Sequence, residues 1–474
     1  MKKLINANEK ENKEKDHLEI FASAPIPKAV MTNTVPAMIA MLMVLVYNLA
    51  DTFFVGQTHN ALMVAAVSLA TPVFLLFMAL GTIFGIGGTS VISRSLGEGR
   101  TEYSKKVCSF CMWGCVITGI VFAVLIFAFM TPILKLIGAS ARTMGYARQY
   151  LSIVTLAGPF VLISNCYANI IRTEGKAGTA MVGQLAGNLL NVILDPILIL
   201  GLNWGVAGAA IATAVSNAAG AAFYLRYLTS GKSMLSIRPK DFTIHEGVLK
   251  HVLAIGIPAS LGDILMSVSN IVANALIASY GDMAVAGFGV AMKVTMITGM
   301  ICIGFGQGVQ PLLGFCIGAK NYPRFKKSLR FSVTFALGMS TAMTLLCWIF
   351  TKNIVHAFLT DQSAFDYAVR FARILLTTSF LFGMYYVFLN ALQAMGEAVS
   401  ALVVNLSRQG IIYIPALFIM NALFGVSGLL WAQPVADILS SVLVISLYAA
   451  AMHRLSVKAG KDGVGRQRAE EVNA

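Results

Sequence analysis

Residues Thr34 to Gly56 read TVPAMIAMLMVLVYNLADTFFVG, and this stretch decides the class of fold. About 20 apolar residues rising 1.5 Å each span a hydrocarbon core of about 30 Å. Near its far end stand Asn48 and Asp51. A carboxylate at mid-membrane costs roughly 2.5 to 3.5 kcal/mol on the insertion scale, so such a residue is first read as functional and turned toward the protein interior.

The rest of the chain has the same character. Over 474 residues, 57% are apolar and only 12% charged, and the mean hydropathy is +0.76, values that exclude a soluble domain. The apolar runs are continuous and helix-length, whereas a membrane barrel alternates apolar and polar residues in short segments. The fold class is therefore all-α and polytopic. Runs fall at 30–56, 63–93, 107–130, 149–171, 178–201, 204–228, 251–279, 284–316, 328–350, 371–394, 399–422 and 425–452, which predicts twelve transmembrane helices.

A net charge of +14 in a soluble chain would suggest nucleic acid, but here the bases sit between the apolar runs. Arg94, Arg100, Lys105 and Lys106, the stretch 226–250, Lys320 to Arg330 and the tail from Arg454 to Arg468 collect on one side, so both termini are expected in the cytoplasm of a cell-membrane protein. Lys135, Arg142, Arg148, Lys352, Arg370 and Arg373 break the rule in two longer loops on the other side. Cys108, Cys111 and Cys115 lie in an apolar run without His or carboxylate companions, and neither a metal nor a disulfide is assigned to them. The polar start lacks a cleavage pattern and reads as a disordered arm.

Laid over itself at a shift of about 221 residues, the chain repeats. Pro36 and Asn48 fall on Pro258 and Asn270, Gly85 and Gly87 on Gly306 and Gly308, Asn169 on Asn390, Gly175 on Gly396, and Gly205 on Gly425. Two six-helix lobes related by a pseudo-two-fold along the membrane normal follow, because six is even. The expected organisation is an arm at 1–28, a first lobe at 29–228, a linker at 229–250, a second lobe at 251–452 and a tail at 453–474.

The lobes differ in polar content. Asp51 falls on Ala273, and Asp195 on Ala416 or its neighbour Ile414. In NLLNVILDPILIL, the spacing of Asn188, Asn191 and Asp195 puts them on one helical face, which must turn inward. Pro196 cannot donate to the carbonyl of Val192. Counting depth along the helices places Asp51, Asp195 and Thr213 in the same half of the bilayer. Asp263, Asp437 and Arg408 are ionisable residues of the second lobe's spans, with an ion pair favoured over a transport role for Arg408 and one of the acids. Lys293 either snorkels outward or pairs with an acid. Asn169 and Asn390 read as hydrogen bonds between helices, and the glycines of IFGIGGTS and IGFGQGVQ as sites of close helix approach.

Through VYNLADTFFVGQ, GIGGTSVISRSLGEGR, NLLNVILDPI, NWGVAGAAIAT and GIPASLGD, together with the repeat, the chain resembles the multidrug and toxic compound extrusion transporters, of the multidrug/oligosaccharidyl-lipid/polysaccharide flippase superfamily. The resemblance covers nearly all twelve spans. It implies a monomeric, non-enzymatic antiporter without cofactors that exports small amphiphilic, often cationic, substrates from the bilayer environment. DinF-type features carry cation coupling onto Asp51, Asn191, Asp195 and Thr213, with Asn48 and Asn188 as supporting polar groups. The glutamate of NorM-type relatives falls on Met266. The expected coupling ion is a proton, with sodium at Asp51, Asn191 and Asp195 as the alternative. A desolvated carboxyl favours its neutral form, and its protonation would repack the first helix about Pro36. A lipid-linked saccharide or peptidoglycan-precursor flippase, and more remotely a lipid-modifying membrane enzyme, are the competing functions. No Walker motif is present for an ATP-driven pump.

Overall fold

The computed structural model describes residues 18–58, 60–359 and 362–472. The first half folds into α1 (Ile26–Gly56), α2 (Ala61–Gly97), α3 (Thr101–Ala128), α4 (Met144–Ile170), α5 (Ala177–Asp195) and α6 (Gly205–Thr229). The second half gives α7 (Val248–Ala278), α8 (Asp282–Gly318) and α9 (Tyr322–Ile349). Next comes α10, built of Gln362–Leu376 and Leu381–Met395 with a 50° bend between them. Gly425, at φ 60° and ψ −144°, divides the remainder into α11 (398–424) and α12 (426–472). Twelve crossings result, an even number, so α1 begins and α12 ends on one face, here termed the terminal face.

Several helices outrun their apolar stretches. The third begins at Thr101 and carries TEYSKK as its first turns, because a helix need not stop where the hydrocarbon does. The tenth begins at Gln362, ahead of the expected 371, on a strongly amphipathic segment.

The backbone repeats with the sequence. Gly175 and Gly396 end α4 and α10 in the left-handed region at φ 73° and 80°. Gly205 and Gly425, at φ 51° and 60°, open α6 and α12. A side chain is strained in that region, so both pairs of turns need glycine. One apolar cluster, from Val55 to Val252, forms the core of the first half, and separate clusters fill the second.

Two reciprocal crossings join the halves, α2 against α7 and α8 against α1. Glycines permit both. A Cβ on Gly308 would lie 2.6 Å from the Cα of Thr34, and one on Gly304 2.8 Å from the Cα of Met38. Gly87 sits equally close to the Val252 carbonyl, and Gly256 to that of Ile83. Nearer the terminal face, Ser90 Oγ donates to the Gln393 carbonyl and Arg94 Nη1 to that of Met395 at 3.3 Å. Every side-chain hydrogen bond between the halves, among the described residues, lies in the terminal half. The lobes therefore meet there.

Part of the expected disordered arm is held in place. Residues 18–22 are helical, Phe21 is fully buried, and Arg324 donates to the carbonyls of Phe21 (2.7 Å) and Ala24 (2.6 Å). Residues 1–17 lie outside the described residues. The linker is likewise fastened: Glu174 Oε1 accepts from Ser233 Oγ (2.7 Å) and the Met234 N–H (2.6 Å), and Lys106 pairs with Glu246 at 2.6 Å.

Overpacking a close helix crossing costs about 1–3 kcal/mol, so Gly308→Val is expected to loosen the terminal closure. A cysteine placed at Gln393 should then react with a soluble maleimide several-fold faster than in the parent; an unchanged rate contradicts the role given to this crossing.

Candidate functional site

In the first half, α5 aligns Gln184, Asn188, Asn191 and Asp195 at spacings that keep them on one face. Asn191 and Asp195 are buried. The Asn191 amide is oriented so that its nitrogen donates to Asp195 Oδ2 at 3.0 Å and its oxygen accepts the Thr213 backbone N–H at 3.2 Å, tying α5 to α6. Thr213 is buried as well. Directly after Asp195 the chain widens into a π-helical turn, Pro196–Gly201, where the missing proline N–H disrupts the regular ladder.

From α1, Asp51 comes within electrostatic reach of Asp195. Tyr47, one turn earlier on α1, and Tyr150 of α4 approach the Thr213 hydroxyl beside both acids. The sequence reading passed over both tyrosines. Tyr47 was recoverable, since four residues before Asp51 is the same helical face; Tyr150 becomes visible only when α4 is in place. Asn48, expected as a supporting polar group, is not drawn into this cluster by any side-chain hydrogen bond among the described residues. Its side chain is exposed, and its carbonyl, accepting from Thr52 Oγ1 at 2.8 Å, is the engaged group.

Asp51 Oδ1 and Asp195 Oδ1 are both buried without a hydrogen-bond partner, as are Asn188 Nδ2 and Gln184 Oε1. None of the ion pairs among the described residues involves either acid. A buried carboxylate without a counter-charge is costly unless it takes up a proton or another cation.

The second half treats its acids differently. Arg408, in the π-helical turn Ser407–Ile411 of α11, donates from Nε to Asp437 Oδ1 of α12 at 2.9 Å. Asp437 also accepts from Gln433 (3.0 Å) and Thr378 (3.1 Å), so its charge is fully met. The Arg408 guanidinium stacks over Phe382 at 4.6 Å and donates to the Tyr386 hydroxyl at 3.2 Å. Lys293 rests its ammonium over the Phe358 ring at 5.4 Å, on the side away from the chain ends.

Asp263 is not part of that pair. It lines a cavity of about 140 Å³ between the lobes with Thr82, Asn165, Gln307, Asn405 and Arg408. Met266, which stands where NorM-type relatives would carry a glutamate, lines the same cavity one turn further along α7.

Behind this wall is Arg172, which the sequence reading missed because it stands one residue past the fourth apolar run. It is 1% exposed, and its Nη1 donates to Asn169 Oδ1 (3.0 Å) and, across the lobes, to Gln307 Oε1 (3.1 Å). Asn169 and Asn390 do not bridge helices as expected. Each amide donates back one turn, to Asn165 and Tyr386, because that carbonyl is the nearest acceptor. The bridge from α4 is instead Asn165, which donates to the Met78 carbonyl at 2.7 Å. At Pro36 the helix α1 continues unbroken, with Gly304 and Gly308 of α8 packed against the adjoining turns.

Twelve crossings in two pseudo-symmetric lobes, with uncompensated acids in one lobe and a polar cavity between the two, define a membrane transporter rather than an enzyme. The comparisons specify which. The MatE family model matches residues 36–197 and again 258–419, one match in each lobe, and the chain belongs to that family. It is 33% identical over 444 residues to the multidrug export protein MepA of Staphylococcus aureus (strain MRSA252), covering 93% of this chain and 98% of that protein. The MepA of Staphylococcus haemolyticus (strain JCSC1435) is 32% identical over 443 residues, covering 93% and 97%. Among solved structures, one described as an outward-facing conformation of a multidrug resistance MATE family transporter superposes with a TM-score of 0.87 at 24% identity, over 93% of this chain and 98% of that one. A MATE in the straight conformation gives 0.86 at 24% identity, with the same coverage.

Removing one partner of a buried ion pair costs about 3–5 kcal/mol, whereas replacing both by apolar groups is often neutral. Asp437→Leu alone is therefore expected to lower the melting temperature of the solubilised protein markedly, and Arg408→Met with Asp437→Leu to restore most of it. Equal melting of the single and double variants would contradict a purely structural pair.

Proposed function

We propose that this chain is a multidrug efflux transporter of the cell membrane, with both termini cytoplasmic, that exports amphiphilic, often cationic, compounds in exchange for protons. Asp51, Asn191, Asp195 and Thr213 form its coupling site. The observation that carries this reading is a pair of carboxylates, Asp195 buried and Asp51 half-buried, each with a buried oxygen left free and no basic partner among the described residues, set against Asp437, whose charge is met by Arg408.

With the terminal face cytoplasmic, the lobes are closed toward the cytoplasm and the acids stand in the outer half. A proton arriving from outside neutralises one carboxylate and relieves the repulsion between the two. Asn191 holds Asp195 by one oxygen, which leaves the other for the proton. Protonation removes the electrostatic reason for the acids to meet water, so α1 settles against α5. The terminal part of α1 is packed on α8 of the other lobe, so any bend at Pro36 bears on the lobe contact as well as on the drug. Exchange of one proton for one singly charged drug moves no net charge, so the pH gradient drives it; the membrane potential adds about 2.3 kcal/mol per 100 mV only where a net charge crosses.

The multidrug export function of the MepA relatives supports the substrate class. The cavity between the lobes gives no support to a flippase for polyanionic lipid-linked sugars, since Arg408, the base in its lining, is already engaged by Asp437. The protein works as a monomer on this reading.

Reconstituted in vesicles with a fluorescent cationic dye, the parent is expected to export dye under an imposed pH gradient. Asp51→Asn and Asp195→Asn should each reduce that rate at least about tenfold while the proteins stay folded. Full pH-driven export by both variants would sink the assignment, and export that follows a sodium gradient at constant pH would replace the proton with sodium.

A further inference from the structure

Three bases that break the charge rule of the sequence, Lys352, Arg370 and Arg373, come together in the structure. They line a cavity of about 530 Å³ on the second lobe, beside Gln362 and Asp366 on the first piece of α10. The acid does not neutralise them: Asp366 Oδ1 accepts from Gln362 Nε2 at 3.2 Å, and the ion pairs among the described residues include none of the three bases. Arg370 donates one nitrogen to Ser427 Oγ at 2.8 Å. Arg373 stacks its guanidinium over Trp348 at 5.1 Å, and its Nε is buried without a partner.

The depth of this cluster identifies its surroundings. The unbroken 28-residue helix α9, which ends at Ile349 just before Lys352, is about 40 Å long at 1.5 Å per residue, more than the thickness of a hydrocarbon core. With the start of α9 on the terminal face, the bases stand at headgroup level in the opposite leaflet, and Trp348 lies in the zone that interfacial aromatics prefer. Beside the cavity, Trp348, Ile349 and Phe350 expose 46%, 62% and 49% of their surface at the end of α9, an apolar flank suited to acyl chains. We propose that this cavity is a binding site for the headgroup phosphate of an anionic phospholipid in the leaflet away from the chain ends. The planar Arg373 fork, fixed by Trp348, meets two phosphate oxygens, while Lys352 and Arg370 add charge from either side. The apolar flank favours a lipid over a soluble anion.

The test is native mass spectrometry of the full-length protein with dioctanoyl phosphatidylglycerol, dioctanoyl phosphatidylcholine and glycerol 3-phosphate as probes. The parent is expected to retain phosphatidylglycerol over phosphatidylcholine. The triple variant Lys352→Gln/Arg370→Gln/Arg373→Gln should lose that retention about tenfold, and Lys326→Gln/Lys327→Gln should keep it. If the triple variant does not fold, Lys352→Gln and Arg370→Gln, both at exposed side chains, should each weaken retention about threefold. Retention unchanged in these variants, equal retention of phosphatidylcholine, equal loss in the Lys326/Lys327 variant, or competition by glycerol 3-phosphate at matched concentration would each overturn the proposal.

Discussion

A charge inside a bilayer has to be compensated, and the two lobes of this transporter meet that requirement in opposite ways. In the second lobe Arg408 and Asp437 cancel each other, with Gln433, Thr378 and Tyr386 taking up remaining hydrogen-bonding capacity. Such a group is fixed for as long as the fold persists. In the first lobe Asp51 and Asp195 lie within electrostatic reach of each other, each with a buried oxygen left free and neither in an ion pair among the described residues. On the proposed reading they await a cation, which would make them responsive where the other pair is inert. The symmetry of the backbone therefore supports an asymmetry of chemistry.

The acids influence the rest of the molecule through α1. One end of that helix carries Asp51, and the other is wedged by Gly304 and Gly308 against the second lobe, so a single helix touches both the proposed coupling site and the lobe contact. The reciprocal crossing of α2 on α7 is built on the same pattern of glycines and carbonyls. Close backbone packing of this kind has few intermediate arrangements, and it suits a device that alternates between closed and open. Arg172, reaching across to Gln307 near the closure, adds a polar contact that must break whenever the terminal face opens.

The repeat was legible in the sequence because it is carried by residues with no substitute. Gly175 and Gly396 must adopt left-handed backbone, and the glycines of the two crossings must admit another helix, so composition alone records both. The row Asn188, Asn191, Asp195 was legible through helical periodicity, and Thr213 through depth. Rotation of one helix against another is not written in this way. Asn48 lies near Asp51 in sequence yet leaves its side chain exposed, Tyr150 enters the site from a different helix, and Asn169 and Asn390 bond within their own helices. Arg172 was lost at the edge of an apolar run, where a base normally reaches water, and only packing shows that it does not. The bend in α10 and the docking of residues 18–24 also depend on neighbours remote in sequence.

The account stands on Asp51 and Asp195 holding a cation that the drug displaces. Protons released when a cationic drug binds the solubilised protein, counted with a pH-indicator dye in weak buffer, report this without any membrane gradient. About one proton per drug bound is predicted for the parent, and close to none for Asp51→Asn. Drug binding with no proton release in the parent, or with undiminished release in the variant, would contradict it.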